Sequence, residues 1–367
     1  MDIELLRARA DIMRNVRQFF DNRAYLEVDT PILAPDLIPE SCLEVFKTTR
    51  LPPVNSGKQK VKDYWLVPSP EIWMKKLIAL HKTNMYQICK CFRNCESSGF
   101  VHSPEFTMLE YYTMDADYTD SLDITEALFN TLIANAGGGA DLEPPFIRWT
   151  MDEAFSRLAG FSLIKKLEDG TLPDEARRLG LDIPSEMSAG DVYNLIFIHA
   201  VEPRLPKEKP VVLLDYPAAV PCLAKMNDVS DDVSGSKEGA GRRTRQRWEL
   251  YARGIELANC YSEETDAEEV RKFFLSEQEI KLSGAAQTHA VDSDYWKIFL
   301  PRKPPAVPPP AASGSPAGLP PDAATKAADS FPRCSGVALG LDRLIMALTS
   351  RKTIDGILPF PMEPGLY

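Results

Sequence analysis

The residues best able to do chemistry gather in "CFRNCESSGFVHSPEFTMLEYYT", residues 91–113. The stretch reads as strand, loop, strand. Strand side chains alternate faces. Met85, Gln87, Cys89, Cys91 and Arg93 therefore share one side of the first strand, and Phe106, Met108, Glu110 and Tyr112 share one side of the second. If the two mixed faces coincide, Arg93 projects toward a wall that holds a ring, a carboxylate and a phenol. A guanidinium fork suits carboxylate and phosphate oxygens, and a phenyl ring offers a stacking platform for a base. The set suits an adenine nucleotide beside a small cationic substrate. The same residues also describe an ordinary amphipathic hairpin closed by a salt bridge. Cys89, Cys91 and Cys95 are spaced C-x-C-x3-C with no histidine at finger spacing, and read as small core thiols rather than zinc ligands.

Near the C-terminal end, "SGVALGLDRL" places Gly336, Ala338 and Gly340 on one strand face and Val337, Leu339 and Leu341 on the other. A face of tiny residues lets a ligand approach the backbone, although close packing of strand on helix needs small residues too. Arg343 follows at a helix entrance, where its charge and the free amides can hold phosphate. "GIELANCYSEETD" supplies Glu256, Asn259, Glu263, Glu264 and Asp266. Spaced carboxylates beside a triphosphate would hold Mg²⁺, could grip an ammonium group, or could form a solvated acidic turn. Glu256 and Asn259 point to opposite faces of a regular strand, so both reach one site only across a bulge or a strand end.

These residues need a scaffold. Residues 2–21 have a helical period, with Leu5, Leu6, Ile12, Met13, Val16, Phe19 and Phe20 on one stripe. "YLEVDTPIL" reads as a strand stopped at Pro31, "YWLVPSP" as a strand and turn, and "EIWMKKLIAL" as a helix opening at Glu71. Residues 118–200 read as mostly helical. "PVVLLDYP" and "WELYARGIELANCY" return to strand character, and 264–283 is a charged helix. The best strands pair locally, which favours an α+β fold, an antiparallel sheet with flanking helices, over a doubly wound parallel sheet. The chain of 367 residues is expected to form a single domain, 1–367, with a disordered Pro/Ala-rich insertion at about 301–330.

Composition narrows the class. A net charge of −11 disfavours a broad nucleic-acid surface. The one basic concentration, Lys237, Arg242, Arg243, Arg245 and Arg247, reads as a solvated loop or as a contact for phosphates or an acidic partner. No apolar run has membrane-spanning length, and no signal segment opens the chain. Seven irregularly spaced cysteines fit a reducing, cytoplasmic compartment.

In order along the chain, "FFDNRAYLEVDTPIL", "FRN…HSPEFTMLEYY" and "GVALGLDRL" resemble motifs 1, 2 and 3 of class II aminoacyl-tRNA synthetases. "SPEIWMKKL" and "GIELANCYSEETD" narrow the resemblance to the lysyl branch. Motif 1 lies close to Met1, so no N-terminal anticodon-binding OB domain is expected. Ala338 stands where the tRNA enzymes usually have glycine. Both features are similar to truncated lysyl-tRNA synthetase paralogues that attach (R)-β-lysine to a lysine of elongation factor P.

The resemblance implies ATP and Mg²⁺ as cofactors, lysine or (R)-β-lysine as substrate, elongation factor P rather than tRNA as acceptor, and a homodimer. It implies that Arg93 binds the α-phosphate and substrate carboxylate, and that Arg343 holds the γ-phosphate of a bent ATP. Asn94, Cys95, Glu96, His102, Ser103, Phe106, Glu256, Leu257 and Gly340 would complete the nucleotide site. Ser69, Pro70, Glu71, Tyr112, Asn259, Glu263 and Ala338 would surround the amino acid, with Mg²⁺ on Glu256 and Glu263. The Ala338 methyl would crowd an α-amino group and favour an amine displaced by one carbon. The family's Phe-Arg-Asn-Glu is here Phe92-Arg93-Asn94-Cys95-Glu96, so the acidic adenine contact falls to Glu96 or is lost. Ser103 stands where asparagine is common, and Cys260 replaces a usual glycine. A lysine-activating core acting on tRNA or a small acceptor, and an inactive synthetase-like binding module, are the rival expectations.

Overall fold

The computed structural model describes residues 2–52, 61–94, 100–136, 139–184, 186–227, 244–301 and 330–360. The expected Pro/Ala-rich insertion, together with Lys237, Arg242, Arg243, Cys95 and Glu96, lies outside these residues. Helix α1 (Ile3–Asp21) opens on an Asp2 N-cap, whose carboxylate accepts from the Glu4 amide, and buries Leu5, Ile12, Val16, Phe19 and Phe20. "YLEVDTPIL" contributes only β1 (Leu26–Glu27) and β2 (Leu33–Ala34), which belong to different sheets. Pro31 between them cannot donate a ladder bond, so the single strand expected here is split. Strands β3 (Lys47–Arg50) and β4 (Lys62–Leu66) complete the small sheet with β2. Helix α2 (Glu71–His81) follows.

The large sheet has eight strands in the order β1, β5 (Met85–Phe92), β6 (Glu105–Met114), β11 (Cys334–Gly340), β10 (Ile255–Ser262), β9 (Thr244–Ala252), β8 (Val211–Pro217), β7 (Ile147–Thr150). The six central strands pair antiparallel, as expected. The sheet is mixed at its margins, where β1 joins β5 and β7 joins β8 in parallel. Both margin strands are short and reach the sheet through a crossover, which parallel pairing requires. Behind the sheet lie α1, α3 (Tyr118–Ala136) and α9 (Leu341–Leu348), over an apolar layer that includes Val337, Leu339 and Leu341. Helices α4 (Met151–Leu158), α5 (Leu163–Glu168), α6 (Leu172–Arg178) and α7 (Ala189–Ile196) pack a second cluster against β7, β8 and β9. Helix α8 (Ala267–Gly284) joins α2 over a third.

Two local features matter for the site. "WELYARGIELANCY" is a hairpin rather than one strand, because Arg253 (φ 55°) and Gly254 (φ 79°) both adopt the left-handed region that a tight two-residue turn demands. A register shift follows at once: Glu256 pairs with Tyr251 but Ala258 pairs with Leu250. This bulge resolves the opposed facing of Glu256 and Asn259 in a regular strand.

Candidate active site

In the β5–β6 hairpin Cys91 faces Phe106, Cys89 faces Met108, Gln87 faces Glu110 and Met85 faces Tyr112. The two mixed faces therefore coincide. Next in the sheet, Ala338 lies between Glu110 on β6 and Asn259 on β10, and Gly336 sits opposite Tyr112. Beyond them Asn259 is paired with Glu249 on β9, and Tyr261 with Arg247. This surface floors a cleft with two joined chambers. The inner one encloses about 510 Å³ and the outer about 1760 Å³, open mouths included. Glu40, Glu71, Arg93, Asn259 and Ala338 line both.

The inner chamber is acidic. Glu40, Glu71, Glu110 and Glu263 line it, with Ser69, Tyr112 and Gly336. Their cationic counterparts are Arg93 and Lys75, the latter 1% exposed beneath the wall. Lys75 Nζ lies 2.5 Å from Glu71 Oε1 and 2.6 Å from Glu263 Oε2. Burial alone would lower its ammonium, but Glu263 and then Glu71 hold it well above its ordinary range. Two carboxylates share this one ammonium. Burial pushes Glu263 up to about 7, an effect that Lys75 opposes and Glu71 adds to. Glu110 is 3% exposed; burial first, and Glu71 next, raise its carboxyl well above the carboxylate range. It accepts from the Tyr112 hydroxyl at 2.7 Å, while its Oε2 has no partner. An unpaired buried carboxylate oxygen is costly. Gly336 has a reason within the protein. A Cβ there would stand 2.5 Å from both Glu263 Oε1 and a Tyr112 ring carbon, so glycine lets both side chains reach the chamber.

The outer chamber holds His102, Ser103, Phe106, Glu256, Leu257, Gly340 and Arg343. The Arg93 guanidinium carbon is 5.3 Å from the Phe106 ring centre. Arg343, near the start of α9, is aimed by its own donors: Nε donates to Val101 O at 3.2 Å and Nη1 to Glu256 O at 3.0 Å. Both arginines, 250 residues apart in sequence (343 minus 93), thus face one cleft. At Gly340 a Cβ would meet only ordinary contacts of 3.7 Å or more, so packing within the protein does not require glycine there.

Several expectations are placed differently. Asn94 pairs its backbone with Glu44 (N–H to O, 2.9 Å) and lines neither chamber. Pro70 caps α2 through its carbonyl, with Pro68 and Ser69 facing the chamber instead. Glu256 and Glu263 do not share an ion site. Glu263 is buried against Lys75 in the inner chamber, and Glu256 lies beside Arg343 in the outer one. The partner that sequence reading missed is Glu249, which lines the outer chamber with Glu256. Burial, and then the Glu249 charge, push the Glu256 carboxyl up to about 7. That mutual repulsion between two carboxylates is what a divalent cation relieves. Among the described residues no group of three His, Cys, Asp or Glu side chains gathers as a metal site.

Arg247 also departs from expectation. Strand β9 begins at Thr244, so Arg247 is not in a solvated loop. Its guanidinium lies 4.3 Å from the Tyr216 ring centre and 5.4 Å from that of Tyr261, and it pairs with Glu249 at 2.5 Å. Glu110 shares its alternating face with Phe106 and Tyr112, and that period was the signal for it. Glu40 carried no comparable signal.

A family model described as tRNA synthetases class II (D, K and N) matches residues 3–307. An elongation factor P–(R)-β-lysine ligase of Vibrio atlanticus is 32% identical over 361 residues, 98% of this chain and 96% of that protein. The ligase of the same name from Avibacterium paragallinarum is 31% identical over the same shares. A lysine–tRNA ligase of Pelotomaculum thermopropionicum is 29% identical over 370 residues, 98% of this chain and 63% of that protein.

Proposed function

The chain belongs to the class II tRNA synthetase family, and from that premise we propose an ATP-dependent ligase. It activates (R)-β-lysine or lysine as an aminoacyl-adenylate and passes the acyl group to a lysine side chain of elongation factor P. The observation that carries this reading is the charge balance of the inner chamber. Among the described residues four carboxylates face one buried ammonium and one guanidinium. A diamino acid brings two cations to Glu71, Glu110 and Glu263 and one carboxylate to Arg93.

In the first step the substrate carboxylate attacks the α-phosphorus, the bond to pyrophosphate breaks, and no protein nucleophile takes part. The work is positioning and neutralisation of charge. Arg93 binds the attacking carboxylate and the α-phosphate. Arg343 holds the γ-phosphate, Phe106 stacks on adenine, and His102, Ser103, Leu257 and Gly340 border the nucleotide. Glu249 and Glu256 would hold Mg²⁺, which when bound neutralises phosphate oxygens. Glu110 and Tyr112 receive the distal ammonium, while Asn259, Glu71 and Glu263 serve the nearer one. The Ala338 methyl, between Asn259 and Glu110, disfavours an α-amino group and favours the β-isomer. In the second step the acceptor amine attacks the adenylate carbonyl and AMP leaves. A cytoplasmic homodimer completes the proposal by family analogy.

Mass spectrometry of elongation factor P, incubated with this protein, ATP and each lysine isomer in the presence of tRNA, tests it. The expected result is one added lysyl unit on elongation factor P, in higher yield with (R)-β-lysine. Acylation confined to tRNA would contradict it.

A further inference from the structure

An acceptor lysine arrives as an ammonium and must lose a proton before it can attack. A base for this task has to sit where the activated acyl group and the entering amine meet, and its lone pair has to be free. Most carboxylates of the cleft fail the second condition. Glu71 and Glu263 are tied to Lys75, Glu249 to Arg247 and Tyr251, and Glu277 to the Ser41 amide at 2.7 Å. Glu110 fails the first condition, because it lines only the inner chamber and its unpaired Oε2 is sealed in the wall. Glu256 stands at the far end beside Arg343, with its carboxylate 3.8 Å from the guanidinium.

Glu40 meets both conditions. It lines both chambers, at the neck they share with Arg93 and Ala338. Among the described residues its carboxylate forms no ion pair and accepts no hydrogen bond, and the residue is half-buried. Its backbone is held from below. Lys281 Nζ on α8 donates to Glu40 O at 2.9 Å and to Leu43 O, and Glu277 fixes the next amide. A clamped backbone carrying an uncommitted carboxylate is the arrangement a general base needs.

We propose that Glu40 is the general base of acyl transfer, taking a proton from the ε-ammonium of the acceptor lysine. The inference rests on the ligase reading above. The nitrogen–carbon bond forms, the bond from carbonyl carbon to phosphate oxygen breaks, and that oxygen leaves with the electron pair. One ammonium proton goes to Glu40 and on to solvent; the second leaves the nitrogen with the AMP oxygen. The charged groups around Glu40 suit the task. Burial and then Glu71 raise its carboxyl, Arg93 and Lys281 lower it, Glu277 raises it, and the balance stands at about 7. Its base form therefore fills as pH rises through neutrality.

The test compares Glu40→Gln with the wild type in two assays: lysine-dependent ATP–pyrophosphate exchange, and transfer to elongation factor P. General-base catalysis contributes roughly 10²-fold or more, so the ratio of transfer to exchange should fall by about 100-fold. Exchange in the same samples reports that the variant folds. Hydroxylamine, an amine already unprotonated at neutral pH, should still intercept the adenylate in the variant. Equal losses in exchange and transfer would reassign Glu40 to substrate binding. Equal losses with hydroxylamine and with the protein acceptor would also overturn the base role. If the wild type itself shows no exchange, the ligase reading fails and takes this inference with it; failure of Glu40 alone leaves wild-type exchange and transfer intact.

Discussion

Lys75 sets the character of the inner chamber. Among the described residues one buried ammonium lies between Glu71 and Glu263, and Glu110 is half-satisfied by Tyr112, so the wall is short of positive charge. Burial raises the carboxyls of Glu110, Glu263 and Glu40, and the Glu71 charge adds to the shift in each. The sign follows directly. An acid whose folded pKa is raised contributes stability that is present below its ordinary range and is lost as pH rises through the folded value, here about 7 for Glu263 and Glu40. A diamine reverses this by stabilising the ionised forms, so its binding near pH 7 should expel protons. Calorimetry with lysine in two buffers of different ionisation heat measures that release. An apparent enthalpy that differs between the buffers, with the sign of proton release, is expected, and an enthalpy independent of buffer would contradict it.

At the scale of elements, Asp342 ties three of them together. Its Oδ1 accepts from Arg9 on α1 at 2.5 Å, its Oδ2 accepts from the Thr107 amide on β6 at 2.6 Å, and it lies next to Arg343 on α9. The pair is nearly sealed, with side-chain exposures of 12% for Arg9 and 3% for Asp342. Removing one partner of such a pair leaves a buried charge uncompensated, at about 3–5 kcal/mol. Asp342→Ala should therefore lower unfolding free energy in urea by about that amount, because Arg9 is left nearly buried without its partner. An unchanged unfolding midpoint would refute the tie. The strand alternation that built the floor could be read from Phe106, Met108, Glu110 and Tyr112, and from Gly336, Ala338 and Gly340, because period two needs only local sequence. The bulge at Leu257 was needed by the chemistry of Glu256 and Asn259 but is encoded by the hairpin register. Arg247 faces the cleft because β9 starts at Thr244, a boundary that sequence pattern places poorly, whereas Glu249 lay inside the strand read from Trp248 and was brought to the site by its pairing with Asn259. Glu40 was illegible for a stronger reason: its loop is positioned by Lys281, 241 residues away.

The whole molecule joins two guanidinium groups and an acid-walled chamber across one mixed sheet. Among the described residues no helix is long and apolar enough to cross a membrane, and the net charge of −11 leaves the cleft cations as local features in an acidic protein. What unites the parts is the claim that this cleft makes an adenylate from a diamino acid. Lysine-dependent ATP–pyrophosphate exchange measures that claim most directly, run with (R)-β-lysine and with lysine, on the wild type and on Arg93→Ala. The account predicts exchange that requires one of the two isomers and falls by roughly 10²–10³-fold in the variant, the cost of losing one charge-stabilising donor. Normal exchange in Arg93→Ala, or none in the wild type with either isomer, would contradict it.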